Sequence, residues 1–220
     1  MKRQYDIIGK DYILGQERNP TKREGEALQF IKKNLPSLQE KVVLDVGCGH
    51  GKDIKMLEEL GAKEVWGLDI SKFMINEARK VVKNKNLLVI GDIADTSFPS
   101  DFFDVIISRF SLHYCREFKP AYAELARILK KGGKIIFTVH HPLRDLHLQK
   151  DQTYGKQEIV SINLYDSALI QVPTHRIKDY FSKAFFNNFT LVQYDEEVSP
   201  EEFLDEFNTP GWMGFKAIKN

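Results

Sequence analysis

The stretch Val42-Val43-Leu44-Asp45-Val46-Gly47-Cys48-Gly49-His50-Gly51-Lys52-Asp53 decides the fold. An apolar run feeds an acid, and glycines follow at alternate positions. This predicts a buried strand that ends in a turn where the backbone passes very close to a neighbour, because glycine lacks a Cβ and tolerates positive φ. A turn of this kind between a strand and a helix is a nucleotide-cofactor site in open α/β sheets. A dinucleotide turn reads G-x-G-x-x-G. Here Gly51 comes one residue early and Lys52 holds the position that pattern wants. The register points away from NAD and ranks a dehydrogenase last.

Outward from this turn, residues 41–140 alternate strand-like and helical runs. Strands are predicted at Val42–Val46, Val65–Ile70, Leu87–Ile90, Phe102–Ser108 and Lys134–His140. Helical stripes lie between them: Ile54, Leu57 and Leu60; Met74, Ala78, Val81 and Val82; and Phe118, Tyr122, Leu125 and Leu129, stopped by Gly132-Gly133. Near-continuous apolar strands separated by helices imply a parallel sheet covered on both faces. Residues 1–40 read as a lid segment followed by a helix with Leu28, Ile31 and Leu35 on its stripe. Residues 141–172 read as an insertion with two short β-like runs, Ile159–Leu164 and Ala168–Val172. A final helix is expected with Thr174 as N-cap and Ile177, Phe181, Ala184 and Phe185 buried. Phe189–Tyr194 and Met213–Ile218 read as closing strands around an acidic loop holding Glu196, Glu197, Glu201, Glu202, Asp205 and Glu206.

The pattern D-x-G-x-G-x-G at Asp45–Gly51 closely resembles motif I of class I S-adenosylmethionine-dependent methyltransferases. Further likenesses extend along the chain. They are the acid Asp69 ending the next strand, Gly91-Asp92-Ile93 after the third, Asp104 to Tyr114 on the fourth, and Leu125–Gly133, similar to the family's R-x-L-K-x-G-G segment. Tyr5-Asp6 with Tyr12 resembles the Y-D-x-x-x-x-x-Y lid of the small-molecule branch (methyltransferase type 11/25-like), and Thr174–Tyr180 resembles a helix start of that branch. The resemblance implies a Rossmann-like, doubly wound α/β fold: a mostly parallel seven-stranded sheet, helices on both faces, an antiparallel last strand. It implies one domain over 1–220, with lid and helix at 1–40, cofactor core at 41–140, a substrate cap at 141–172 and a closing helix and strands at 173–220.

The cofactor implied is S-adenosyl-L-methionine, leaving S-adenosyl-L-homocysteine as product. The cofactor-binding set carried over is Tyr5, Tyr12, Asp45, Gly47, Cys48, Gly49, Gly51, Asp69, Ile70, Met74, Asp92, Ile93 and Ser108. Asp45 suits the cationic amino group or an organising hydrogen bond. An acid at Asp69 accepts from ribose hydroxyls, a property shared with NAD enzymes. In the resembled family an acid at the position of Asp92 accepts from the adenine amino group, and the next backbone N–H donates to the ring. Met74 packs either on adenine or in the core. Tyr5 and Tyr12 either face the sulfonium by cation–π attraction, on the order of 1 kcal/mol, or simply pack.

Methyl transfer is an in-line displacement whose reactivity comes from the cofactor. A general base is needed only for an acceptor protonated at working pH. Base candidates are His113, His140 and His141, the last two at the C-terminal edge of the sheet where ligands bind; a backbone-bonded loop histidine is the competing reading of each. Arg18, Arg109 and Arg144 could pair a substrate or cofactor carboxylate, against ordinary surface pairing. Cys48 and Cys115 have no metal-ligand spacing, so no metal is expected.

A net charge of +1 with interspersed signs disfavours nucleic acid, and no apolar run is long enough to span a bilayer. The N-terminus lacks a signal-peptide core, so a cytoplasmic setting is expected. The expectation is a monomer or homodimer that methylates an O or N atom of a small-molecule acceptor. The alternatives are a tRNA wobble-base methyltransferase and a non-catalytic S-adenosylmethionine-binding module.

Overall fold

A computed structural model of the chain describes residues 3–18, 22–197 and 209–220. Two helices, α1 (Tyr5–Arg18) and α2 (Lys22–Asn34), precede the sheet. Then β1 (Val42–Val46), α3 (Lys52–Glu59), β2 (Glu64–Asp69), α4 (Lys72–Ala78), β3 (Leu88–Ile90), β4 (Phe103–Arg109), α5 (Phe118–Ile128) and β5 (Leu129–His140) alternate. After a short α6 (Pro142–Leu146) come β6 (Ile159–Leu164) and β7 (Ala168–Pro173), short helices α7 (Ile177–Tyr180) and α8 (Lys183–Phe186), and strands β8 (Phe189–Glu196) and β9 (Trp212–Lys219).

The main sheet has seven strands in the order β3-β2-β1-β4-β5-β9-β8. The first five are parallel, and β9 runs antiparallel to both neighbours. The fold class is therefore the doubly wound, Rossmann-like one expected. Side-chain alternation along each strand divides the core in two. Leu44, Val46, Ile106, Phe137 and Phe215 pack toward α5 and α8, while Val43, Val105, Ile107 and Ile136 pack toward α2, α3 and α4. Strand order reverses between β1 and β4, so a crevice opens above their C-terminal ends.

Several boundaries differ from the periodicity. The second helix ends at Ala78, and Val81 is 49% exposed while Val82 returns to the core from a turn; adjacent β-branched residues extend a helix weakly. Leu129 leaves the helical stripe to pair with Phe103, so Gly132 and Gly133 lie within β5 at a register shift rather than at a helix end. The single C-terminal helix is two, broken at Phe181 and capped at Arg176 rather than Thr174. The Thr174 hydroxyl instead accepts from the Glu158 N–H and the Gln149 amide. In the acidic loop, Glu201, Glu202, Asp205 and Glu206 lie outside the described residues.

The N-terminal segment is helical, which the hydrophobic pattern does not announce. α1 docks through its glycines. A Cβ at Gly9 would lie 2.4 Å from the Phe73 ring on α4, and one at Gly15 would lie 2.6 Å from Tyr165 and Ser167 in the β6–β7 turn. The β6–β7 ribbon forms its own apolar cluster, Val160, Ile162, Ile170 and Val172, on which Tyr5 and Ile8 pack. The Gln4 amide completes the dock by bonding both main-chain groups of Gln171.

Candidate cofactor cavity

The β1–α3 turn folds as it does because of what each glycine faces. The N–H groups of Gly47 and Cys48 both donate to the Leu68 carbonyl, at 2.7 and 3.1 Å, which pulls the turn onto β2. Gly47 has φ +69°, and a Cβ there would lie 1.8 Å from Ser111 Oγ. Gly49 has φ +52°, and a Cβ there would enter open space, with nothing within 4 Å. Gly51 instead abuts Ala78 and Val82 behind the turn.

Asp69, the last residue of β2, braces this turn. Its Oδ2 accepts from the Gly49 N–H at 2.9 Å and its Oδ1 from the Ser71 N–H at 2.8 Å. Burial raises its pKa, and those two donors act against that rise. Ser71 caps α4 by accepting from Met74 N and donates its hydroxyl proton to Asp6 at 2.6 Å. Asp6 also accepts from Phe73 N. Against the cost of burial, these bonds hold its carboxyl below the usual range. The first turn of α1 is thus fastened to the N-terminus of α4, one residue pair from Asp69.

Above the turn lies a cavity of 660 Å³. Gly47, Cys48, Gly49 and Asp69 line it from one side, Ile70, Met74, Asp92 and Ile93 from another, and Tyr5, Tyr12 and Tyr114 from a third. The Tyr5 and Tyr114 hydroxyls bond each other at 2.7 Å. Their rings, and those of Tyr5 and Tyr12, meet edge to face at 5.9 and 5.1 Å. Burial, then the Glu24 charge, pushes the Tyr12 phenol up to about 12.

The structure gathers ten of the predicted cofactor residues on this cavity: Tyr5, Tyr12, Gly47, Cys48, Gly49, Asp69, Ile70, Met74, Asp92 and Ile93. Asp45, Gly51 and Ser108 are not among its lining residues. Asp45 shares the strand face of Val43, so it points beneath α3. It is buried, its Oδ2 has no hydrogen-bond partner, and burial followed by the nearby Asp53 charge pushes its pKa well up. Ser108 faces the opposite side of β4 and is fully buried.

The structure does not bring the three predicted histidines to the cavity either. His141 caps α6: its Nδ1 accepts from Leu143 N at 3.2 Å, which leaves Nε2 to donate to Glu196 at 3.0 Å. His113 stacks on His140 with ring centroids 4.0 Å apart, and neither ring nitrogen of His113 has a hydrogen-bond partner. Burial drives the His113 pKa well down. A folded-state pKa below the unfolded one means that the unfolded chain takes up the proton first. The stability contributed by neutral His113 is therefore lost as pH falls below about 6.5. His113→Phe keeps the ring stack and removes the titration. Its unfolding free energy from urea titrations should fall less steeply than that of the wild type between pH 7 and 5, by up to about 1.4 kcal/mol per pH unit. Parallel profiles would show that His113 is not the titrating group.

Arg109, one of the arginines expected to pair a carboxylate, reaches the cavity, and so do Gln16, Glu24, His50 and Lys52, which the sequence reading did not single out as site residues. Lys52 Nζ donates to Gln16 Oε1 at 2.7 Å, Gln16 Nε2 to Glu24 Oε1 at 2.6 Å, and Tyr165 OH to the same oxygen at 2.5 Å. This chain ties α3, α1, α2 and the β6–β7 turn together. Arg109, at the end of β4, makes a two-pronged pair with Asp53: Nε to Oδ2 at 2.7 Å and Nη2 to Oδ1 at 3.0 Å. His50 also lines the cavity, and burial, then Lys52, lowers its pKa to about 4. Gln16 and Tyr12 stand four apart on α1, a spacing that would have paired them had the segment read as helix. Among the described residues there is no cluster of metal-ligating side chains and no helix long and apolar enough to cross a membrane.

Comparison with known proteins agrees with this geometry. The model of a methyltransferase domain family matches residues 44–137. A protein from Listeria monocytogenes, described as a candidate S-adenosylmethionine-dependent methyltransferase, superposes with a TM-score of 0.74 at 25% identity, covering 89% of this chain and 99% of that one. An aklanonic acid methyltransferase from Streptomyces sp. (strain C5) is 36% identical over 140 residues, 61% of this chain and 59% of its own. A fatty-acid O-methyltransferase from Mycolicibacterium smegmatis is 33% identical over 111 residues, 50% of this chain and 40% of its own. The chain spans about half the length of the curated relatives it matches. The switch-point cavity, the glycine turn braced by Asp69 and these likenesses agree: residues 44–137 form a methyltransferase domain, on the fold of the S-adenosylmethionine-dependent methyltransferases.

Proposed function

We propose that the chain transfers a methyl group from S-adenosylmethionine to an oxygen or nitrogen of a small-molecule acceptor. The observation that carries this reading is Gly49: its missing side chain leaves open space beside the Asp69 carboxylate, inside a cavity of 660 Å³. That volume suits a cofactor-sized ligand, and the lining supplies apolar walls with a few convergent polar groups.

The cofactor supplies a methyl carbon already activated by its sulfonium. In this reading the protein binds, aligns and keeps out water. Asp69 accepts from the ribose hydroxyls. Asp92 and the Ile93 backbone meet the adenine edge, and Ile70 and Met74 pack on its faces. Gly47 and Gly49 let the backbone approach the thioether chain. Tyr5 and Tyr12 turn aromatic surface toward the sulfonium, worth about 1 kcal/mol.

The histidine on the cavity, His50, titrates at about 4 and is a weak base at neutrality. An acceptor that arrives ionised, such as a carboxylate, needs no base. Relatives named for acid acceptors, the fatty-acid O-methyltransferase and a malonyl-[acyl-carrier protein] O-methyltransferase, support that preference. Calorimetry should show S-adenosylhomocysteine binding to the purified chain. A panel of carboxylate, phenol and amine acceptors should then show methyl transfer to carboxylates with a rate flat between pH 6 and 8. A folded protein that binds no S-adenosylhomocysteine would overturn the reading. Transfer confined to amines, with a rate that rises with pH, would move the acceptor to nitrogen.

A further inference from the structure

We infer that the free edge of β6 is the contact between two copies of this chain, which pair antiparallel through it so that their β6–β7 ribbons join into one four-stranded sheet. The run Ile159-Val160-Ser161-Ile162-Asn163-Leu164 carries no charge and no proline. It alternates exposed and buried residues, with Val160 and Ile162 in the apolar cluster of the ribbon.

The outer edge of β6 follows from what covers β7. The N–H and C=O of Gln171 are both taken by the Gln4 amide on the α1 side. In an antiparallel pair the two main-chain groups of one residue point the same way. Ser161 stands directly opposite Gln171, so its own N–H and C=O point away from β7. The same alternation turns out those of Ile159, opposite Pro173, which has no N–H to give, and of Asn163, opposite Leu169. The ribbon has two strands only. Ile159, Ser161 and Asn163 are exposed, and among the described residues no group takes their outward N–H and C=O.

The other strand edges of the chain are guarded. β3 is three residues long. β8 has a register shift between Leu191 and Gln193 and carries Asp195 and Glu196. β7 is covered by α1. Shortness, bulges, charge and cover are the usual means by which strand edges are kept from pairing. β6 has none of them: its register against β7 is unbroken over six residues.

The sequence of the edge selects a second copy as its occupant. About a two-fold axis at Ser161, Ile159 faces Asn163 of the second copy, and the outward groups of the three residues in each copy can close six main-chain hydrogen bonds. On the inner face Val160 comes opposite Ile162 of the second copy, so the two apolar clusters become continuous. On the outer face the two Ser161 hydroxyls meet and can bond each other. With no charge on the strand, the self-pairing meets no like-charge repulsion. The closure also steadies the cavity, because Tyr5 and Tyr114, which line it, pack on this ribbon; a two-stranded ribbon is marginal alone and gains from further strands.

Sedimentation velocity over about a hundredfold range of concentration should show a monomer–dimer equilibrium. Two variants act on the edge alone. Ser161→Lys sets two ammonium groups against each other across the axis. Ser161→Pro removes an outward N–H and spares the ladder to β7, as proline at a strand edge can. Each should weaken dimerisation by at least about tenfold, with melting of the monomer little changed. Hydrogen exchange on the wild type needs no variant. The amides of Ile159, Ser161 and Asn163 should slow as concentration rises, while those of Val160, Ile162 and Leu164 keep the same protection throughout. A chain that stays monomeric over the whole range overturns the inference. So does a dimer that survives both Ser161 variants, or one that is dispersed by Val192→Lys on the β8 edge and not by Ser161→Lys.

Discussion

Asp69→Ala is expected to weaken S-adenosylhomocysteine binding by about 100- to 1,000-fold in a protein that remains folded. The expectation combines two losses. The carboxylate holds the glycine turn through the Gly49 and Ser71 N–H groups, and in the proposed role it also accepts from the ribose. Hydrogen bonds to charged groups are each worth about 1.5–3 kcal/mol, so losing the ribose contacts alone reaches this range. The effect on stability should be smaller. Two N–H groups lose their acceptor, but a carboxylate whose pKa burial raises is itself costly to keep ionised, and removing it offsets part of the loss. Calorimetry alongside thermal melting separates the two. Binding within threefold of the wild type would show that Asp69 only shapes the turn. Asp69→Asn should fall between, because its amide can satisfy one of the two donors and must present N–H to the other.

The second large effect contrasts two neighbouring glycines. Gly49→Val should leave a folded protein without measurable S-adenosylhomocysteine binding, whereas Gly47→Val should fail to accumulate as folded protein. Both positions have positive φ, which costs a β-branched residue about 1–2 kcal/mol. At Gly49 that is the whole penalty, since its Cβ meets nothing within 4 Å. A melting temperature lower by about 2–8 °C follows for a domain of this size, and the isopropyl group fills the space the ligand needs. At Gly47 the new Cβ would lie 1.8 Å from Ser111 Oγ and 2.3 Å from Ser111 Cβ. The segment after β4 must then move, at a cost beyond about 3 kcal/mol. Soluble expression, melting and calorimetry on the two variants check this. If Gly49→Val binds normally, the ligand does not pass over that residue.

Much of this was legible because the strands are buried on both faces. Val42–Leu44 and Val105–Ile107 are apolar at consecutive positions, and such runs can be read without knowing partners. The turn was legible because its geometry demands a residue type. Asp45 shows where that reading stops: whether an acid at a strand end faces ligand or core depends on strand alternation relative to α3, which spacing alone does not specify. His140 and His141 are similar. Their place at the sheet's C-terminal edge follows from the pattern, but His141 is drawn to the end of α6 and His140 to the His113 ring. Helix α1 was hidden for a different reason. Its buried residues are Gly9, Gly15 and Gln16, so close backbone approach and a polar contact replace the apolar stripe that periodicity detects.

The placement of β9 has a consequence for how the chain is made. β9 is the outermost partner of β5 until β8 joins its far side, yet residues 212–219 leave the ribosome after every other strand of the sheet. During synthesis β5 therefore carries an unpaired, apolar edge, Ile135 to Val139, through the translation of more than seventy residues. Such edges invite pairing with other chains. A nascent or C-terminally shortened chain has the cofactor crevice strands already in order but no cover for this edge. Loss of Trp212 to Lys219 should therefore show first as aggregation rather than as weaker ligand binding.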